Sequence, residues 1–121
     1  MKRILIIENE FPTVQVAFDA ANTIHFNGEL QFEHLAKSQD INWKTINNYH
    51  CIFVDISLAM RSDLDGLGIL GKIQAEYPSM LPRTAIITGH HKILDVIKGT
   101  DLQLTKKQVI LKPLKYIVSI R

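Results

Sequence analysis

The sequence predicts a doubly wound α/β domain on a five-stranded parallel sheet. Two observations carry this. Short β-branched apolar runs alternate with stretches of helical periodicity along the whole chain. Four of those runs also end in one polar residue each: Ile4–Ile7 at Glu8, Cys51–Val54 at Asp55, Ala85–Ile87 at Thr88 and Val109–Leu111 at Lys112. Alternation of this kind puts helices on both faces of a parallel sheet. Ligands of such sheets bind outside the carboxyl ends of the strands. The four ends would bring two acids, a hydroxyl and an ammonium to one crevice, a set suited to a divalent metal and a phosphoryl group.

Residues 3–8 read as the first strand. Pro12 fits the first turn of the following helix, where its missing N–H costs nothing. Val14, Ala17, Phe18 and Ala21 fall on one helical face. Asn27-Gly28 ends that unit, and 29–35 reads as the second strand. Over 39–48 the pattern is weakest: Asp40 could cap a short helix burying Ile41 and Trp43 or Ile46, closed by Asn47-Asn48. Residues 50–55 form the third strand, and a polar loop runs from Ser57 to Asp65. Leu67, Leu70, Ile73 and Tyr77 make the next apolar helical face, stopped by Pro78. The fourth strand is 83–88, a short helix spans about 91–98 to Gly99, and the fifth strand is 108–111. A last helix follows Pro113, with Leu114, Ile117, Val118 and Arg121 on one face.

At 121 residues the chain is expected to form one domain, 1–121. Hydrophobic content of 46% with 21% charged residues suits a soluble globular domain. No apolar run reaches the length of a membrane span. Met1-Lys2-Arg3 looks like the start of a signal peptide, but the apolar run before Glu8 is too short for one. The cytoplasm is the expected compartment. A net charge of +2 is too small to point to nucleic acid. The single cysteine, Cys51, cannot form an internal disulfide and reads as a small core residue.

Asp55 is the chemical centre. A carboxylate can act as nucleophile toward phosphorus and form an acyl phosphate. It needs a cation to relieve repulsion from the incoming phosphoryl oxygens, and Mg²⁺ takes hard oxygen ligands of this kind. Glu8 is the second acid. Thr88 can donate to one phosphoryl oxygen and Lys112 can place a point charge on another. Gly89 leaves room beside Thr88. Taken singly, each has a plainer reading: a strand-end turn for Asp55, a helix-start acid for Glu8, a backbone-bonded hydroxyl for Thr88, a solvated lysine for Lys112. The four together at successive strand ends are hard to explain that way.

The motifs ILIIENE at 4–10, CIFVD at 51–55, DG at 65–66, AIITG at 85–89 and ILKP at 110–113 resemble, in order and position, those of response-regulator receiver domains. The resemblance covers essentially the whole chain. It implies a flavodoxin-like (βα)5 fold with strand order 2-1-3-4-5. It further implies Asp55 as phosphoacceptor, Glu8 in the acidic metal-binding pair, the Ser57 backbone carbonyl as a further metal ligand, and Thr88 and Lys112 as the groups that bind and report the phosphoryl group. The donor would be a histidine kinase or phosphotransfer protein, and the output a downstream domain or protein, with no direct nucleic-acid or membrane contact. No enzyme activity beyond slow self-dephosphorylation is implied.

The chain departs from that pattern at three places. Asn9 stands where a second acid is usual. It keeps an oxygen ligand but removes a charge, so Mg²⁺ binding is expected to be weakened rather than abolished. Glu10, a possible substitute carboxylate, reads instead as a helix N-terminal residue. The loop from Asp55 to Asp65-Gly66 is about three residues longer than usual, which costs little stability. Val109 occupies the position of a frequent Tyr or Phe whose inward swing accompanies signalling. Asn9 and Val109 together motivate an alternative: a pseudo-receiver acting as a phosphorylation-independent protein-binding module. Enzymes of similar architecture fit less well. Glu8-Asn9-Glu10 would repel the phosphate of a flavin nucleotide, and no Gly-x-Gly-x-x-Gly follows the first strand.

Overall fold

Successive residues of a strand face opposite sides of its sheet, and the first strand shows how this chain uses that. Ile4 and Ile6 enter one apolar layer, Leu5 and Ile7 another. The computed structural model describes residues 2–56, 64–89 and 92–111. Within them the order is β1 (Lys2–Ile7), α1 (Phe11–His25), β2 (Leu30–Leu35), β3 (Cys51–Asp55), α2 (Gly66–Glu76), β4 (Thr84–Thr88), α3 (Ile93–Lys98) and β5 (Val109–Leu111). The five strands pair in parallel in the order β2-β1-β3-β4-β5. The doubly wound sheet and strand order expected from the sequence are therefore present.

On one face, Val14, Phe18 and Ala21 of α1 pack on Ile4, Ile6, Phe53, Ala85 and Ile87. Phe18 meets Phe53 edge-on, with ring centroids 4.9 Å apart. On the other, Ile69, Leu70 and Ile73 of α2 and Ile93 and Ile97 of α3 pack on Leu5, Ile7, Ile52, Val54 and Ile86. Every residue of β3 and β4 is buried, as expected of central strands covered on both faces. Cys51 lies in the α1-side layer, and burial pushes its thiol up to about 12. Among the described residues, no helix is long and apolar enough to cross a membrane.

The connection between β2 and β3 differs from the expected short α-helix. Two 3-10 turns, Ser38–Asp40 and Trp43–Asn48, take its place. Asp40 caps nothing; it ends the first turn. Asn42 caps the second by accepting from the Lys44 N–H at 3.2 Å. Ile41 and Asn42, between the two turns, are extended, so no single helix runs through the segment even though Ser38, Ile41, Ile46 and Tyr49 are all buried. Trp43 is half-buried, stacked on Tyr77 at 5.6 Å with the Lys72 ammonium 4.6 Å from its ring centre. Two further 3-10 turns, Pro78–Arg83 and Lys106–Gln108, precede β4 and β5.

Asn27 and Gly28 both adopt positive φ, 54° and 72°, and turn the chain out of α1. Asn22 secures this exit: its side-chain oxygen accepts from the Leu30 N–H at 2.9 Å, and its amide donates to the Leu30 carbonyl at 3.3 Å. Toward the amino end of the sheet, Arg3 pairs with Glu33 at 2.8 Å and lies over the Tyr49 ring at 4.8 Å. The hydrogen bond from Tyr49, with Arg3 beside it, holds the Glu33 carboxyl below its usual range. Burial and the same hydrogen bond push the Tyr49 hydroxyl up to about 12. The last helix expected after Pro113 falls outside the described residues.

Candidate functional site

The site is assembled by the carboxyl ends of β1, β3 and β4. The register pairs Ile7 with Val54, so the next residues out, Glu8 and Asp55, continue two adjoining strands. Such strands lie about 4.8 Å apart. Asp55 pairs with Ile87, and Thr88 follows directly. All three are buried: Glu8 is 0%, Asp55 4% and Thr88 2% exposed. Buried polar groups of this kind are rare in a sheet core and point to a site. Asn9 is exposed at the rim. Leu111, the residue before Lys112, pairs with Thr88. Lys112 itself and Ser57 lie outside the described residues, as do His90 and His91.

The loop after β1 is tightly held. The Glu8 N–H donates to the Leu35 carbonyl at 3.0 Å, and Glu8 Oε1 accepts from the Glu10 N–H at 3.0 Å. His34 Nε2 donates to the Glu8 carbonyl. The His34 ring stacks on Phe11, with centroids 4.6 Å apart and planes at 19°. Glu10 stands at the N-cap of α1, as its sequence position suggested, without capping through its side chain.

The backbone behind Asp55 is equally constrained. The Gly66 N–H donates to the Ile56 carbonyl at 3.2 Å, closing the base of the long loop. A Cβ at Gly66 would stand 2.3 Å from the Asp55 carbonyl oxygen and 2.5 Å from Ile56 Cα. Only glycine permits this approach. Asp65 caps α2 through the Gly68 N–H at 2.8 Å. Ser38 Oγ, buried after β2, accepts from the Leu64 N–H at 2.8 Å. A Cβ at Gly89, beside Thr88, would meet no described atom within 4 Å, so the space there is open.

His34 and Ser38 were not legible as site-supporting residues. One is a polar residue on an edge strand, the other a serine in a polar stretch, and nothing in their sequence neighbourhood sets them apart. Gly66 was legible only through its Asp-Gly motif. Among the described residues no three His, Cys, Asp or Glu side chains form a metal-holding group. The candidate donors are two carboxylates, Glu8 and Asp55, with the amide oxygen of Asn9 at the rim. Hard oxygens in this number fit Mg²⁺, which keeps several waters and needs only one or two carboxylates from the protein.

No family model and no curated protein matches the sequence. Solved structures do. The chain is similar to the bacteriophytochrome response regulator AtBRR, with a TM-score of 0.69 and 13% identity, covering 93% of this chain and 83% of that one. It is similar to the receiver domain of NtrX from Brucella abortus, with a TM-score of 0.66 and 24% identity over 93% of this chain and 87% of that one. The signal receiver domain of a DNA-binding response regulator (merR) from Colwellia psychrerythraea 34H gives a TM-score of 0.67 and 16% identity over 96% and 89% of the two chains. The fold is that of response-regulator receiver domains.

Proposed function

We propose that this chain is a response-regulator receiver. It takes a phosphoryl group on Asp55 from a histidine kinase or phosphotransfer protein, in the presence of Mg²⁺, and shifts a protein-interaction face. The observation that carries this reading is the burial of Glu8, Asp55 and Thr88 together at three adjoining strand ends of a receiver fold. The module signals rather than catalyses, with self-dephosphorylation its only slow reaction, and it works in the cytoplasm as one domain.

Glu8 and Asp55, with Asn9 and the Ser57 carbonyl, would hold the metal. When bound, Mg²⁺ neutralises charge between the acceptor carboxylate and the phosphoryl oxygens. The remaining work belongs to the chain. Gly66 and the β3 pairing fix the Asp55 backbone, and one carboxylate oxygen would act as the nucleophile. That oxygen bonds to phosphorus as the donor's P–N bond breaks, and the departing imidazole takes up a proton. Thr88 donates its hydroxyl to one phosphoryl oxygen, and Lys112 pairs with another. This re-pairing biases two pre-existing states of the distal face.

The test is phosphoryl uptake from acetyl phosphate with Mg²⁺, read by intact mass. The expected result is one phosphoryl adduct, lost in Asp55→Asn and in chelator. No adduct, where a control receiver reacts, sinks the reading.

Exposed, uncharged Asn9 favours one alternative, a phosphorylation-independent binding module. An Asp55→Asn allele with an unchanged phenotype in cells would select it.

A further inference from the structure

The acidic loop is held by β2, the edge strand beside β1. Leu35 takes the Glu8 N–H, and His34 Nε2 donates to the Glu8 carbonyl. The His34 ring also stacks on Phe11, the first residue of α1. Both peptide groups of Glu8 are thereby anchored to β2, and the chain is gripped again three residues on. Between these points the Glu8 carboxylate turns back to accept from the Glu10 N–H. That turn carries Asn9 out to the rim.

We propose that His34 is a positioning residue: it locks the Glu8–Phe11 segment in the shape that offers Glu8 and Asn9 to a divalent cation. The backbone bond from Leu35 fixes where the loop starts but not the rotation of the following peptide. A donor on the Glu8 carbonyl sets that rotation, and a ring on Phe11 keeps the helix start in place. The cation in this statement rests on the receiver reading; the hold on the loop does not.

Two variants separate the ring from the donor. His34→Phe keeps a ring against Phe11 and removes the N–H. His34→Gln keeps an N–H at similar reach and removes the ring. Amide hydrogen exchange of metal-free protein is the first readout. The Glu10 amide should exchange about tenfold faster in His34→Phe, the scale of one lost hydrogen bond. It should stay within about twofold of wild type in His34→Gln, and core amides such as Ile86 should not change in either. Mg²⁺ titration followed by amide shifts is the second readout. Affinity should fall about tenfold in His34→Phe and be largely restored in His34→Gln.

The proposal is overturned if Glu10 exchanges alike in wild type and His34→Phe, or if all core amides accelerate together. It is equally overturned if His34→Phe takes Mg²⁺ as wild type does. A wild-type protein that takes no Mg²⁺ overturns the metal reading alone, because Glu10 exchange then still decides on His34.

Discussion

A single charge separates the loop after β1 from the usual receiver pattern. Asn9 is exposed next to the buried Glu8, and on the proposed receiver reading a negative charge there would add to the attraction for a divalent cation. Coulomb attraction at about 4 Å amounts to roughly 4 kcal/mol at an effective dielectric of 20, part of it cancelled by desolvation. Asn9→Asp should therefore tighten Mg²⁺ binding by about tenfold or more, measured by titration at fixed ionic strength. Elsewhere, burial decides reactivity. The Cys51 thiol, pushed up to about 12, should ignore a thiol reagent at pH 8 and react once per chain in denaturant. Tyr49, pushed up to about 12 from 10.0, favours the folded state while it stays neutral. That contribution is whole below pH 10 and fades as pH rises toward 12. Glu33, held below 4.5, acts in the opposite sense. Its contribution is present above the unfolded value and lost as pH falls through the folded one. Denaturant melts at rising pH should show Tyr49→Phe losing less stability than wild type, with the remaining alkaline loss coming from groups such as Cys51.

Two glycines of one helix face opposite fates. At the start of α2, a methyl group on Gly66 would collide with the backbone of Asp55 and Ile56. Neither atom is the free end of a side chain, so the strand end itself must move. Gly66→Ala should cost roughly 1–3 kcal/mol or more and slow phosphoryl uptake by displacing Asp55. Five residues on, a methyl group on Gly71 would meet nothing within 4 Å. Gly71→Ala should stabilise by roughly 0.5–1 kcal/mol through helix propensity. Thermal or urea unfolding of the two variants checks both signs.

The molecule is two apolar layers sharing one sheet, and β1, β3 and β4 contribute side chains to both. Both layers are built on the same three strands, so loss of the sheet dismantles both together. Unfolding should therefore be a single transition, with far-UV circular dichroism and the fluorescence of Trp43 superimposing. Ile4→Val on the α1 side and Ile73→Val on the α2 side should each cost roughly 0.5–1.5 kcal/mol. Their effects should add within about 0.5 kcal/mol, because the sheet keeps the two sites apart.

By itself the sequence determined the alternation of strands and helices, the burial of β3 and β4 and the placing of Glu8, Asp55 and Thr88 at strand ends. Those are local properties: a side chain's period and its place at the end of an apolar run are written in consecutive residues. It misread the β2–β3 connection, where extended Ile41 and Asn42 divide the segment into two turns and Asn42, not Asp40, caps the second. Only the tertiary structure revealed that His34 grips Glu8, that Ser38 anchors Leu64 and that Gly66 must lie on Asp55. The first two contacts join residues 26 positions apart. The first exists because the parallel register sets Ile6 beside His34 and Ile7 beside Leu35. No short window of sequence encodes that register; the folded sheet does.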